Sequence, residues 1–138
     1  MSRIKNIEMK ILFEEVELAA VKKNPKALYY IKNPSEKVQL AAVEEDGTAI
    51  RYIPKELRSE KVQLAAVKQD GTAIRIIQNP FETVQLAAVK QNWRAIEFIK
   101  NPSEEVQLAA VKNNGLAIEF IPKELRSEKV QLAAVKQD

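Results

Sequence analysis

The chain has 138 residues, of which 46% are hydrophobic and 30% charged, a balance typical of a soluble globular protein rather than a disordered or membrane-embedded one. Its 22 basic and 19 acidic residues are interleaved, so the net charge of +3 is weak support for nucleic-acid binding. Because the chain contains neither Cys nor His, disulfides, thiolate metal sites and the commonest general base are excluded. We expect no metal ligand and no cofactor.

The first ten residues carry charges at positions 3, 5, 8 and 10, so they lack the uninterrupted apolar core of a signal peptide. No apolar run in the sequence approaches the length that spans a bilayer. These features predict a cytoplasmic protein that has no membrane partner.

One hexapeptide, Val-Gln-Leu-Ala-Ala-Val, organises the rest of the chain. It occurs five times without change, at 38–43, 62–67, 84–89, 106–111 and 130–135, and once at 16–21 with Glu17 in place of Gln. A fixed short period over a whole chain indicates a repeat architecture. The sequence therefore predicts an all-α fold, an α-solenoid of about five and a half short helix-turn-helix repeats of 22–24 residues each.

Helical geometry explains why the hexapeptide is constant. At about 100° per residue, Val38, Ala41 and Ala42 fall on one face of a helix, and Leu40 with Val43 falls on the opposite face. A helix that is apolar on two faces must be covered on both. This is the position of an inner helix that packs between the unit before it and the unit after it.

We predict a single domain over 1–138, with an N-terminal unit at 1–31, full units at 32–53, 54–77, 78–99 and 100–121, and a half unit at 122–138. In the unit 32–53, Asn33 is expected to cap the first helix and Glu36 to stand at its third position. Gly47 is expected to end that helix in the left-handed conformation. A second, shorter helix is expected over 48–53, with Arg51 outside and Tyr52 pointing inward.

Two kinds of linker join the units. The short ones are Asn-Pro turns at 33–34, 79–80 and 101–102, and the longer ones are 54–61 and 122–129, where Ser59 and Ser127 are the expected N-caps. The longer linkers predict one additional helical turn, whose Leu57 or Leu125 adds to the core. At the N-terminus, four apolar residues lengthen the first helix and are expected to cap the stack: Ile4, Ile7, Ile11 and Leu12.

The units resemble the bacterial and phage α-helical repeats that are catalogued as a domain of unknown function. The consensus of those repeats is similar to V-x-L-A-A-V-x-x-N-G-x-A-L-x-Y followed by a Leu-Arg linker, which Val62–Ile74 and Lys55–Ser59 match. The resemblance covers residues 14–138 and implies the helical-repeat fold without any shared chemistry. The chain departs from the pattern at Pro25 and Trp93, which stand at the Gly position, and at Phe81, which stands at the Ser position.

The acidic residues are the remaining candidates for catalysis. One set stands at helix-capping positions (Glu36, Glu60, Glu82, Glu104 and Glu128), and adjacent pairs at 14–15 and 44–45 fall on exposed edges. Such pairs are typical of a solvated helix face. The sequence therefore predicts a protein without catalytic residues, which is not an enzyme.

In a solenoid the core positions repeat, and the exposed positions are free to specialise. The exposed positions of the second helices lie one turn apart and form a row along the stack, which we call the outer stripe. The outer stripe is basic or aromatic in its first half and acidic in its second; it consists of Lys26, Tyr29, Arg51, Arg75, Arg94, Glu97, Leu116 and Glu119. It is either a partner-binding surface or a solubilising face.

Trp93 is the sharpest departure from the repeat, because it replaces a helix-ending Gly. Exposed Trp is a favoured binding anchor, as is an Arg such as Arg94 beside it; the alternative is that Trp93 packs over the neighbouring unit. Phe81, at the opposite end of the same first helix, has the same two interpretations. The Gln of each hexapeptide is expected at one edge of the stack, where it either bonds between adjacent units or contacts a ligand.

Three functions remain open. The first is protein–protein binding by a scaffold, adaptor or inhibitor, and the family resemblance extends this to a phage protein that blocks a host defence complex. The second is nucleic-acid binding by the basic half of the outer stripe, against which Glu97 and Glu119 stand. The third is a structural or designed scaffold without a ligand. The C-terminal half unit either caps the stack, belongs to a longer array, or exposes an apolar edge; if the chain ends at Asp138, this edge predicts self-association.

Overall fold

The computed structural model describes residues 3–136, and these form helices that pack against their successive neighbours along the chain. The α-helices are α1 (Arg3–Lys23), α2 (Glu36–Glu45), α3 (Glu60–Gln69), α4 (Glu82–Gln91), α5 (Glu104–Asn113) and α6 (Glu128–Val135). Between them lie the 3₁₀ helices Pro25–Tyr30, Gly47–Tyr52, Gly71–Ile76, Trp93–Phe98 and Gly115–Phe120, with two shorter 3₁₀ turns at Lys55–Leu57 and Lys123–Leu125. The described range contains no strand, and the predicted all-α solenoid is confirmed. Residues 1–2 and 137–138 of the predicted first and last units lie outside the described residues.

The helices form two layers. Each α-helix packs on the next α-helix, each six-residue 3₁₀ helix packs on the next 3₁₀ helix, and the 3₁₀ helices also contact the α-helices of their own and the following unit. The core lies between the layers and between successive units. Val38 and Val43, on opposite faces of α2, are both 0% exposed, so the predicted burial of the hexapeptide on two faces is confirmed.

The α-helices begin two residues later than Asn33 would place them. Ser35 is the N-cap of α2, where its Oγ accepts a hydrogen bond from the Val38 N–H at 3.3 Å, and Ser59 and Ser127 cap their helices in the same way, as predicted. The prediction that Asn33 caps the helix was wrong. Glu36 accordingly stands at the first helical position rather than the third.

The second helix of each unit is a 3₁₀ helix, which the sequence pattern did not distinguish from a short α-helix. In the unit 32–53 the Ala49 N–H donates to the Asp46 carbonyl at 2.9 Å, and the Ile53 N–H donates to the Ile50 carbonyl at 3.0 Å. Three residues per turn align Gly47, Ile50 and Ile53 on one face, and all three are buried.

Gly47 and Gly71 serve a close approach between units and not a left-handed turn, so the prediction for Gly47 was wrong. No glycine among the described residues has a positive φ, and α2 ends because Asp46 adopts an extended conformation at φ −150° and ψ 107°. A Cβ added to Gly47 would collide with the backbone carbonyl of Ala66 in the following α-helix. Positive φ values occur instead at Asn79 and Asn101, 50° and 51°, in two of the Asn-Pro turns.

The N-terminal apolar residues lengthen α1 as predicted, but they do not cap the stack. Ile4, Ile7, Ile11 and Leu12 are all exposed. Residues 3–13 precede the part of α1 that aligns with α2, so they project by about 16 Å at 1.5 Å per residue. Val16 is 67% exposed, whereas the matching first Val of every other hexapeptide is 0% exposed. The surface that an earlier unit covers elsewhere is therefore open on α1.

The apolar edge of α6 is also open. Leu132 and Val135 are exposed on α6, whereas the matching Val43 of α2 is fully buried and Leu40 is half-buried. Self-association through this edge stays a prediction.

In the longer linkers, the arginine contributes more to the packing than the leucine before it does. Leu57 is exposed and Leu125 half-buried, so the predicted addition to the core holds only in part. Arg58 bridges two units, because its Nε donates to the Ile53 carbonyl at 2.9 Å and its Nη1 to the Ile76 carbonyl at 3.2 Å. Burial lowers the pKa of the Arg58 guanidinium below its usual value, and the nearby Glu56 carboxylate opposes this shift.

The hexapeptide glutamines bond within their own unit and not between adjacent units, which was one of the two expected alternatives. Each Nε2 donates to the carbonyl five residues earlier, in the linker that leads into its helix; the distance is 2.9 Å from Gln39 to Pro34 and 3.2 Å from Gln63 to Arg58. Gln39, Gln63 and Gln107 are buried rather than solvent-facing. Gln39, Gln63 and Gln107 therefore fix the linkers that precede their helices and are not open to a ligand.

Candidate functional site

The five six-residue 3₁₀ helices build one surface, and each is started by the same local device. The residue that ends the preceding α-helix is Asn or Asp in extended conformation, and its side chain accepts a hydrogen bond from the N–H of the second residue of the 3₁₀ helix. At Asp46 and Asp70 the same carboxylate also accepts from the hydroxyl of Thr48 (2.6 Å) or Thr72 (2.7 Å). The same hydrogen bond and a similar extended backbone therefore lead into every one of these five 3₁₀ helices.

The structure brings the outer stripe together on the exposed side of these 3₁₀ helices. Its members occupy the second and fifth positions, which coincide in projection when a helix has three residues per turn. All eight are exposed: Lys26, Tyr29, Arg51, Arg75, Arg94, Glu97, Leu116 and Glu119. Phe81 does not join them, because it stands at the N-cap of α4, at the other end of that helix from Trp93.

A second row of side chains lies beside the outer stripe and was missed in the sequence. The sixth residue of each 3₁₀ helix is apolar, and we call these residues the sixth-position row: Tyr30, Tyr52, Ile76, Phe98 and Phe120. Tyr30 is 82% exposed, Phe98 42% and Phe120 39%, while Tyr52 and Ile76 are half-buried. The inward orientation expected for Tyr52 is therefore only partly correct. The sequence does contain a pattern that could have predicted this row, because all five units have an apolar or aromatic residue at this position.

The rows end in aromatic clusters. At the first two units, the Tyr29 ring contacts Tyr30 edge-on with centroids 5.1 Å apart and Tyr52 with centroids 6.0 Å apart. At the last two full units, Trp93 lies 6.0 Å from Phe120, centroid to centroid. Paired aromatic rings in these geometries attract each other and hold their faces in place. Each end of the surface is thus a preformed aromatic patch.

Trp93 combines the two roles that the sequence left open. Its ring is half-buried against the core and Phe120, and Arg94 holds its Cζ 5.1 Å from the ring centroid. This distance lies within the range of a cation–π interaction. The exposed part of Trp93 is consequently held rigid, with a guanidinium group beside it.

The junction that contains Trp93 also differs from the two junctions before it. Gln69 Oε1 accepts a hydrogen bond from the Gly47 N–H at 2.7 Å, and Gln91 Oε1 accepts from the Gly71 N–H at 2.6 Å. At the matching place opposite Trp93 stands Asn113, whose shorter amide donates to the carbonyls of the preceding α-helix's last turn. The glycine-to-glutamine bond is thus replaced where the large side chain enters.

The cations in the middle of the outer stripe are not neutralised by neighbours. Within the described range, the Arg51 guanidinium donates only to the Thr48 carbonyl, at 3.3 Å, and Arg75 has no ion pair. Positions two and five of the first three 3₁₀ helices carry no acidic residue. This part of the surface is therefore positively charged and available.

The N-terminal ends of the α-helices lie on another edge of the stack and are already occupied by carboxylates. Glu36 accepts from the Ser59 hydroxyl at 2.8 Å, Glu60 accepts from the Thr83 hydroxyl, and Glu82 accepts from the Ser103 hydroxyl at 2.7 Å. Acidic residues at helix N-termini satisfy the positive end of the helix dipole. This edge therefore offers no attraction for phosphate groups.

The described residues offer no metal centre, because no cluster of three or more His, Cys, Asp or Glu side chains comes together between residues 3 and 136. None of the helices in that range has an apolar stretch sufficient to traverse a bilayer.

A protein-family model matches the chain twice, at residues 35–81 and 103–138; its description is "Domain of unknown function (DUF4116)". No curated protein and no solved structure matches the chain.

Proposed function

The chain belongs to the family of the domain of unknown function DUF4116, and from the geometry of its surface we infer that it is a non-catalytic protein-binding module. The partner would bind on the layer of 3₁₀ helices, across the outer stripe and the sixth-position row. The single observation that carries this proposal is the sixth-position row beside the charged outer stripe, with three exposed and two half-buried members and an aromatic cluster towards each end. Aromatic and arginine side chains are the residues that dominate binding energy at protein interfaces.

The rigidity of the surface supports the proposal. The rings of Tyr29 and Trp93 are held by neighbouring rings, and Arg94 is held over Trp93. Side chains that are ordered before binding lose less conformational entropy when a partner arrives. A face that only keeps the protein in solution does not need aromatic rings. The 3₁₀ helices of the first, second, fourth and fifth units nevertheless carry aromatic residues.

Nucleic-acid binding is less well supported by the same surface. Glu97 and Glu119 are exposed directly beside Phe98 and Phe120, where a phosphate backbone would have to pass for its bases to stack. The α-helix N-termini, which are the other usual phosphate sites, already carry glutamates. An affinity for RNA or DNA that falls steeply with salt concentration would favour the nucleic-acid alternative over protein binding.

Photo-crosslinking tests the proposed surface. The crosslinking amino acid p-benzoylphenylalanine is placed at Phe98, at Tyr30 or, as the control, at Lys90, which is exposed in the last turn of α4. In extract of the source organism, we expect the same protein adduct from positions 98 and 30, none from position 90, and loss of the adduct when Trp93→Ala and Arg94→Ala are added. Adducts that appear equally from all three positions, or from none, would refute the proposal.

A further inference from the structure

We propose that the partner presents an elongated acidic segment that also carries apolar side chains, and that this segment lies along the outer stripe. This inference rests on the proposed function, because it names the chemistry of the partner for the same surface. It follows from three properties of the surface: the sign of its free charges, the direction in which that charge changes, and the separation of its aromatic clusters.

The free charges are positive over the first three units. Lys26, Arg51 and Arg75 are exposed there, and among the described residues Arg51 and Arg75 have no carboxylate partner. Asp46 and Asp70, which stand five residues before Arg51 and Arg75, are turned to the backbone and hydroxyl groups that they cap. A carboxylate on a partner would therefore find two guanidinium groups that have no ion pair within residues 3–136, of which only Arg51 uses one N–H, in its bond to the Thr48 carbonyl.

The charge reverses toward the other end of the stripe. Glu97 and Glu119 occupy the positions that Arg51 and Arg75 occupy in the earlier units, and both are exposed. Complementary potentials fix the direction in which two partners bind. The segment is therefore expected to be acidic where it crosses the first three units and neutral or basic where it reaches Glu119.

The two aromatic clusters set the length of the segment. The cluster around Tyr29 and the cluster around Trp93 are separated by three units, or about 24–30 Å at the usual 8–10 Å between packed helices. An extended chain covers this distance with about seven to nine residues at roughly 3.3 Å each. Apolar side chains near both ends of such a segment would contact the two clusters while its acidic side chains lie between them.

A random peptide library tests the chemistry of the segment without knowledge of the natural partner. Displayed peptides of about twelve residues, long enough to span both clusters, are selected on the full chain at physiological salt. We expect the enriched peptides to combine Asp or Glu with aromatic or aliphatic residues. A synthetic copy of an enriched peptide is then measured by fluorescence anisotropy against variants of the chain.

The double charge reversal Arg51→Glu with Arg75→Glu should lower the affinity of the chain for the acidic peptide by about tenfold or more. The reason is that both contacts with peptide carboxylates become repulsive. The matched control Lys68→Glu with Lys90→Glu makes the same change in net charge on the exposed ends of α3 and α4 and should change the affinity less than about twofold. Circular dichroism confirms that each variant is folded.

Three other outcomes separate the two proposals. Neutral or basic peptides whose binding is lost in Trp93→Ala would overturn the acidic segment and leave the binding surface in place. Peptides that bind all variants equally would overturn the surface itself. A 20-nucleotide single-stranded RNA that outcompetes the peptides, with affinity that falls steeply with salt, would assign the stripe to nucleic acid instead.

Discussion

Substituting Gly71 by Ala tests whether the glycines hold neighbouring units in close contact. The φ of Gly71 is not positive, so an alanine backbone meets no conformational strain there. A Cβ at this position would nevertheless lie 2.6 Å from the Ala88 carbonyl oxygen and 2.8 Å from Gln91 Oε1. The Ala88 carbonyl also accepts the hydrogen bond from the Asn92 N–H that closes the last turn of α4, at 2.9 Å, so it cannot move aside without disturbing that turn.

The expected loss of stability is the sum of three effects. Overpacking of this kind costs about 1–3 kcal/mol. Displacing Gln91 removes its hydrogen bond with the Gly71 N–H, at about 0.5–1.5 kcal/mol. Replacing Gly by Ala restores about 0.4–1 kcal/mol because the unfolded chain becomes less flexible. The net loss is about 2 kcal/mol, which corresponds to a fall in Tm of about 6–10 °C for a domain of this size.

Thermal and urea unfolding followed by circular dichroism measure this loss. Gly71→Asn discriminates between the two explanations of the glycine, because Asn tolerates a left-handed backbone but its larger side chain deepens the collision with Ala88. We expect Asn to be worse than Ala, and Gln91→Asn to recover part of the loss in Gly71→Ala. An alanine variant as stable as the natural chain would refute the close-contact explanation, since backbone entropy alone would then decide the result.

Three further substitutions test other contacts by their effect on the free energy of unfolding in urea. Val38→Asp should cost about 3 kcal/mol or more because the side chain is buried, and Val16→Asp less than about 0.5 kcal/mol because it is exposed; equal losses would mean that another chain covers α1 in solution. Phe81→Ser should stabilise the chain by about 1 kcal/mol, since the N-cap of α4 lacks a side-chain hydrogen bond, and a destabilised variant would show that the ring is needed for packing. Arg58→Met should cost about 1–2 kcal/mol more than Arg126→Met, because Arg58 donates to carbonyls of two units and Arg126 to one; equal costs would contradict a bridging role.

The parts of the fold that repeat were predictable, because repetition multiplies a weak local signal. Val38 and Val43 fall on opposite faces of any α-helix, and both are fully buried. The caps were less predictable, because Asn33 and Ser35 are both good capping residues and stand only two positions apart. Gly47 was misread because a sequence shows that a side chain is missing but not whether backbone conformation or a neighbouring helix requires it.

The candidate surface was predictable only in its charged half. Charge marks an exposed position directly, and each charged member of the outer stripe, such as Arg75, is exposed. An apolar side chain gives no such indication, because residues such as Tyr30 and Phe98 could equally well occupy a core position. Their exposure depends on how far the end of a 3₁₀ helix stands out from the α-helix layer, which is a property of packing between units. The position of the Trp93 ring could not be predicted for the same reason, since the ring packs against Phe120 from the next unit.

The side-chain hydrogen bonds that join neighbouring units have a consequence for how the chain folds and grows. Bonds such as Gln91 to Gly71 and Asn113 to Val89 connect residues 20 and 24 positions apart. Each junction therefore closes by itself once two adjacent units have formed, and folding can begin at any pair and spread in both directions. Gain or loss of a whole unit leaves every other junction with its own partners at the same separation. The length of the chain can consequently change in steps of one unit. Each step adds or removes the outer-stripe residues of one unit and leaves those of the other units in place.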